Sequence, residues 1–336
     1  MHADKWIIIT TINQPTVALR KFAAMRAGGW NMVVVGDTKT PADWALEGAE
    51  FLSVARQEER YGELARLIPT RHYSRKNLGY LFAIEHGARM IIDTDDDNIP
   101  YDTFGRGLAE AVEGRALEGP GWVNVYRHFT THPHIWPRGL PLDAVNRAGT
   151  VGNRAETRRC PVQQFLADGD PDVDAIYRLI IGDLVNFECG AKPLILVPGT
   201  WVPFNSQNTV FYPAAFPLLY LPCHVSFRMT DIWRSFVAQA ALARDGLGLS
   251  FHAPTVVQER NAHNIMRDFE DEVPGYLHND AIMKVLAMAA AAHAGGDQAA
   301  LALALWESLC GSGHVPAKEM PIIRAWHARL AELGIG

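Results

Sequence analysis

Met90-Ile91-Ile92-Asp93-Thr94-Asp95-Asp96-Asp97-Asn98 is an apolar run of strand character that breaks into four carboxylates. Folding alone does not ask for this. Crowded carboxylates repel one another, and a cation placed among them relieves the repulsion. Hard oxygen ligands of this kind suit Mg2+ or Mn2+, and such an ion suits the diphosphate of a nucleotide. A solvated acidic turn or a helix-capping group would present the same string.

Upstream, Trp6-Ile7-Ile8-Ile9-Thr10-Thr11-Ile12 reads as a strand, 15–27 as a helix with glycines beyond its end, and 31–35 as a second strand. That is a βαβ unit. A short strand over 50–54 and helical patterns over 57–68 and 74–88 lead to the acidic strand. The alternation predicts an α/β fold, with a parallel sheet covered by helices on both faces and ligands beyond the carboxyl ends of its strands. Thr10, Thr11 and Asn13 end the first strand at that edge, and Gly36-Asp37-Thr38-Lys39 ends the second. A G-x-G-x-x-G fingerprint and a Walker-type loop are both absent, so neither NAD nor P-loop chemistry is supported.

The 336 residues, 48% apolar and 20% charged, are enough for one large α/β domain or two ordinary ones. A net charge of −6 argues against nucleic acid as partner, which needs many Lys and Arg contacts to phosphate. Cys160, Cys189, Cys223 and Cys310 are far apart and form no CxxC pair, so neither a zinc site nor a disulfide framework is indicated. Reduced thiols, no signal-peptide pattern and no transmembrane run of 18 apolar residues lead to the expectation of a cytoplasmic protein.

The helix before the acidic strand opens Ser74-Arg75-Lys76-Asn77, with Ser74 as a plausible N-cap. Two cations in a first turn oppose the helix dipole, and a bound phosphate would reverse that penalty. A solvated helix end with both cations in water is the plainer reading.

Trp30-Asn31-Met32-Val33-Val34-Val35-Gly36-Asp37-Thr38-Lys39-Thr40-Pro41, the block Tyr73-Ser74-Arg75-Lys76-Asn77-Leu78-Gly79-Tyr80-Leu81 and the acidic cluster together resemble the STELLO family of glycosyltransferase-like proteins. The likeness continues through Asp172-Val173-Asp174-Ala175-Ile176-Tyr177-Arg178-Leu179, Phe204-Asn205-Ser206-Gln207-Asn208-Thr209 and Phe227-Arg228-Met229-Thr230-Asp231-Ile232-Trp233-Arg234. The resemblance implies a GT-A fold, a Rossmann-like mixed sheet with flanking helices over 1–272, and the Ala- and Leu-rich text beyond it reads as a helical C-terminal extension over 273–336. Within it, 1–98 would be the nucleotide half and 99–272 the half for donor sugar and acceptor. The implied activity moves a sugar from a nucleotide sugar, by family habit UDP-linked, to a hydroxyl on a glycan or other acceptor, with inversion. A nucleotide-sugar mutase and a noncatalytic scaffold are the alternatives.

By the same resemblance, Asp95-Asp96-Asp97-Asn98 is similar to a DxD motif, with Asp95 and Asp97 holding Mn2+ or Mg2+ and Asp96 turned to the nucleotide. Thr10, Thr11, Asn13, Asp37, Arg75, Lys76 and Asn77 would complete the nucleotide site, Arg75 and Lys76 offsetting charge on the diphosphate. Asp231, at the start of an amphipathic segment over 231–244, is the expected catalytic base, with Arg234 one turn on to orient it or bind acceptor charge. Helix capping by Thr230 or Asp231 would use the same residues.

After a strand over 249–253, Val256-Val257-Gln258-Glu259-Arg260-Asn261-Ala262-His263-Asn264 offers His263 as a third metal ligand. Gln258, Arg260 and Asn261 would face phosphate or donor sugar. Asp172, Asp174, Arg178, Asn205, Ser206, Gln207 and Asn208 are candidate sugar partners, because carboxylates and amides suit hydroxyl pairs. Asp170 reads as a turn residue and His132-Pro133-His134 as loop. Trp201, Trp233 and Tyr212 are sugar platforms or, more commonly, core. From about residue 278 the text is Ala- and Leu-rich helix, which covers a domain or forms a homo-oligomer interface.

Overall fold

The computed structural model describes residues 4–259 and 264–336. Strands β1 (Lys5–Thr11), β2 (Trp30–Gly36), β3 (Glu50–Leu52) and β4 (Met90–Thr94) run parallel in the order β3-β2-β1-β4. Helices α1 (Val17–Ala24), α2 (Val54–Leu67) and α3 (Lys76–Glu85) connect them. Side chains alternate across the strands. Ile7, Ile9, Met32 and Val34 therefore pack with Leu19 and Phe22 of α1 on one face, and Ile8, Val33 and Val35 pack with Leu78 and Leu81 of α3 on the other. Both faces are covered, so these strands read as unbroken apolar runs. On α3, Gly79 permits close approach to the sheet: a Cβ there would lie 2.7 Å from Val35 Cγ2 and 2.8 Å from Ile8 Cγ2.

Beyond β4 the sheet becomes mixed. The further strands are β5 (Asn98–Pro100), β6 (Ala111–Glu118), β7 (Gly121–Trp122), β8 (Thr150–Arg159), β9 (Val162–Gly169), β10 (Leu194–Leu196), β11 (Thr200–Trp201), β12 (Asn208–Phe211) and β13 (Leu249–Gln258). The order continues β4-β12-β9-β13-β10-β6-β8, with β5 on β13 and a separate β11-β7 pair. The mixed α/β sheet implied by the resemblance is present. The all-parallel sheet implied by the alternation ends at β4, which meets β12 antiparallel.

The strand expected over 249–253 runs on to Gln258 through a register shift between His252 and Val256. That extension carries Gln258 to the edge where β4 ends.

Helices α4 (Ala175–Ile180), α5 (Thr230–Arg244), α6 (Ile265–Ala292), α7 (Gln298–Gly311) and α8 (Met320–Glu332) complete the fold. Helix α5 was expected to be amphipathic, yet all its residues from Thr230 to Leu242 are buried, because α6 and α7 cover its outer side. Helix α6 begins well before 278, at Ile265, and continues through Pro274. Residues 98 and 272, the expected boundaries, fall inside β5 and α6. The C-terminal helices share the main core: Trp306 and Trp326 flank Tyr220 at ring-centroid distances of 5.6 and 5.9 Å. Buried Glu319 pins that junction, accepting from Tyr220 Oη at 2.5 Å, Cys223 N at 2.6 Å and His224 N at 2.7 Å. All four cysteines are free.

Candidate active site

A cavity of about 610 Å3 opens where β1, β2 and β4 end. Thr10 and Thr11 come from β1, Asp37 and Lys39 from the loop after β2, and Asp95, Asp96 and Asp97 from the turn after β4. Gln207, Gln258, Asp172 and Asp231 line it from the mixed half of the sheet and the start of α5. The carboxyl-end placement is the one expected for an open α/β sheet.

The four aspartates separate. Asp93 lies inside β4, fully buried, between Lys76 Nζ at 2.8 Å and Arg234 Nη1 at 2.9 Å. Asp95, two residues on and so on the same face, meets the same Lys76 Nζ at 3.1 Å but remains 39% exposed to the cavity. Burial among protein atoms pushes the Asp95 carboxyl up to about 7; Lys76 opposes this, while Asp97 and Asp93 add to it. Asp96 turns the other way, where its Oδ2 accepts from Thr11 Oγ1 at 2.5 Å and Asn13 Nδ2 at 3.1 Å. Both oxygens of Asp97 lie 3.2 Å from Gln258 Nε2, and Gln258 Oε1 in turn accepts from Gln207 Nε2 at 2.5 Å.

Arg75, Lys76 and Asn77 serve the fold. In the cationic first turn of α3, Lys76 is compensated by Asp93 and Asp95; these two outweigh burial and raise the Lys76 pKa. Ser74 is not the cap: it lies in a 3-10 turn whose N-cap is His72, with His72 Nδ1 accepting from Ser74 N. Asn77 clamps the main chain of Leu221, donating to its carbonyl and accepting from its N–H, both at 2.8 Å. Arg75 is 1% exposed, and donates to Gln57 Oε1 and to the carbonyls of Ala65 and Ile68. No carboxylate among the described residues is hydrogen-bonded to it. Burial lowers its pKa, with Asp37 and Glu58 acting against that.

Asp231 stands at the cavity as expected, but its acceptor positions are filled. Oδ1 receives Arg138 Nη1 at 3.0 Å and Ile232 N at 3.1 Å, and Oδ2 receives Arg138 Nη2 at 2.8 Å and Ser206 N at 3.1 Å. Arg138 also binds both oxygens of Asp172 at 2.8 Å. Burial acts to lower the Arg138 pKa, and the two carboxylates more than reverse this. A phenol closes the same wall: Tyr73 Oη accepts from Asp231 N at 2.9 Å, and burial holds Tyr73 well above its ordinary pKa.

Other expected sugar partners do not reach the cavity. Asp174 caps α4 through Tyr177 N and accepts from Trp136 Nε1, its pKa raised to about 6 by burial. Arg178 is held by Asp170 and the carbonyl of Pro171. Arg234 is buried on Asp93 and Ser206, over the ring of Phe211 at 5.0 Å. Asn205 accepts from Gln207 N, and Asn208 ties β12 to Leu166 and Thr255. Trp201, Trp233 and Tyr212 are core. His263, Arg260 and Asn261 lie outside the described residues.

Arg71, His72 and Arg138 line the cavity without having been anticipated. Arg71 and His72 follow Pro69-Thr70 in a turn just ahead of α3, a cation-bearing approach to a helix that is a usable signal. Arg138 follows Trp136-Pro137 in a loop and carries no local signal.

Residues 228–297 match the STELLO glycosyltransferases family, a span that includes Arg228 and Asp231 of this cavity. In Arabidopsis thaliana, the probable glycosyltransferase STELLO2 is 32% identical over 275 residues, covering 76% of this chain and 36% of that protein. The probable glycosyltransferase STELLO1 is 32% identical over 274 residues, with coverage of 76% and 35%. The chain belongs to the STELLO-like family. It spans little more than a third of the length of these relatives. Among the described residues of this STELLO-like chain no helix is long and apolar enough to cross a membrane.

Proposed function

We propose that this STELLO-like chain is a divalent-cation-dependent glycosyltransferase, moving a sugar from a uridine-linked donor to an acceptor hydroxyl with inversion. The observation that carries the reading is the division of the acidic run. Asp93 is consumed by the fold, while Asp95 and Asp97 line the cavity at the carboxyl ends of parallel strands.

Among the described residues no three His, Cys, Asp or Glu side chains are grouped to hold a metal alone. Two carboxylates on one wall nevertheless fit a small hard cation, since Mg2+ is commonly held by one or two carboxylates, with water and substrate phosphates supplying the rest. A positive ion there would relieve the mutual repulsion of Asp95 and Asp97. Such an ion, when bound, offsets charge on a departing diphosphate. Asp96, held by Thr11 and Asn13, sits on the nucleotide side, and Gln207 and Gln258 orient Asp97.

Asp231 is the carboxylate we assign to proton acceptance from the acceptor hydroxyl. Its carboxylate accepts four hydrogen bonds, two from the main-chain N–H groups of Ile232 and Ser206 and two from the side chain of Arg138. A turn of Arg138 fully onto Asp172 would open a lone pair on Asp231. Incubation with Mn2+, a panel of nucleotide sugars and a hydroxyl acceptor, read as released nucleoside diphosphate and as the anomeric configuration of the product, tests the reading. Release with inversion, reduced at least a hundredfold in Asp97→Ala and in Asp231→Asn, is expected. Ring isomerisation without acceptor would instead establish a mutase.

A further inference from the structure

Most cations of the cavity are engaged within the fold. Arg138 is held by Asp172 and Asp231, Arg228 by Glu272 with Asp172 at 3.8 Å, and Arg75 lies beneath the surface on Gln57 and two carbonyls. Arg71 and Lys39 differ: both are exposed, both line the cavity, and neither has a hydrogen-bond or ion-pair partner among the described residues.

Arg71 also has a φ of 59, the single left-handed conformation at a non-glycine position among the described residues. Side chains with a Cβ avoid that region, and strain of this kind persists where the surroundings impose it. The surroundings are visible here. Asp37 Oδ2 accepts from His72 N at 3.1 Å, tying the turn that carries Arg71 to the loop that carries Lys39. A glycine would sit there without strain.

We propose that Arg71, assisted by Lys39, binds the phosphate oxygens of a nucleoside diphosphate in this cavity. The proposal rests on the nucleotide-sugar reading and replaces Arg75 and Lys76 as the residues that touch phosphate. A guanidinium presents a planar fork matched to two phosphate oxygens, and the buried charge of Arg75, without a bonded carboxylate, adds positive potential nearby.

Calorimetric titration of uridine, guanosine and adenosine diphosphates with Mn2+ tests it, on wild type, Arg71→Gly, Arg71→Gln and Lys39→Ala. Arg71→Gly should melt at or above the wild-type temperature, yet bind the preferred diphosphate at least tenfold more weakly. Lys39→Ala should weaken it less, and the corresponding nucleoside should not distinguish the variants. Arg71→Gln keeps a side chain on that backbone and decides the matter should Arg71→Gly fold poorly. Wild-type affinity in the Arg71 variants would overturn the proposal and leave the nucleotide-sugar reading standing. Absence of diphosphate binding by the wild type would overturn that reading, and the proposal with it.

Discussion

Asp93, inside β4, and Asp97, on the turn after it, belong to one acidic run, yet removing each has a different consequence. Without Asp93, buried Arg234 would lose its ion-pair partner, and Lys76 would keep only the partly exposed Asp95 at 3.1 Å. Asp93→Ala should therefore cost about 3–5 kcal/mol of stability, as loss of one partner from a buried pair does. Asp97→Ala, on the cavity turn, should cost less than about 1 kcal/mol. Urea denaturation of the two variants checks this, and equal midpoints would contradict it. The acidic run was legible because clustered carboxylates are an electrostatic oddity in any sequence. Its division was not, because the neighbours that decide it arrive from 17 and 141 positions away, as Lys76 and Arg234. Arg138 was hidden for the same reason, with Asp172 and Asp231 at 34 and 93 positions from it. The Thr11, Asn13 and Asp37 placements were readable, since strand ends in such a sheet gather on one edge.

Among the elements, α3 shows how a glycine sets a helix against a sheet. Alanine is the better helix former, but its Cβ would press on Val35 and Ile8. Gly79→Ala should thus destabilise by about 1–3 kcal/mol, the usual cost of overpacking, and a thermal melt that rises instead would show that the strands can yield. At the C-terminal junction, Glu319→Ala would leave the N–H groups of Cys223 and His224 and the hydroxyl of Tyr220 without their acceptor. A loss of at least about 2 kcal/mol in chemical denaturation is expected. The βαβ half was legible because strand and helix periods alternate cleanly there. The mixed half was not: β10, β11 and β12 are short, their pairings are long-range, and α5 looked amphipathic only because sequence cannot show which helices lie over it.

Across the whole molecule, three histidines make the fold sensitive to acid. His72, His252 and His327 each have a pKa lowered from 6.5 to about 4, burial being the leading cause. The folded state therefore holds neutral rings. At these three sites the unfolded chain binds more protons between pH 6.5 and 4, so the stability they contribute above 6.5 is lost as pH falls towards 4, while the raised carboxyls of Asp95 and Asp174 offset part of that loss. Melting temperature should drop over that interval, and His327→Leu should flatten part of the slope, since neither ring nitrogen of His327 has a partner among the described residues. A slope unchanged in that variant would assign the acid sensitivity to other groups.

We propose that Asp95 and Asp97 seat a divalent cation that grips a donor's diphosphate. Thermal unfolding with Mn2+, with uridine diphosphate, and with both together is the most direct test of that seat. A ligand confined to the folded state stabilises by RT ln(1 + [L]/Kd), about 2.7 kcal/mol at a hundredfold excess over Kd. An upward shift of the midpoint is expected that requires metal and nucleotide together and vanishes in Asp97→Ala, while that variant alone melts close to the wild type. A nucleotide shift indifferent to Mn2+, or one that survives intact in Asp97→Ala, would contradict it.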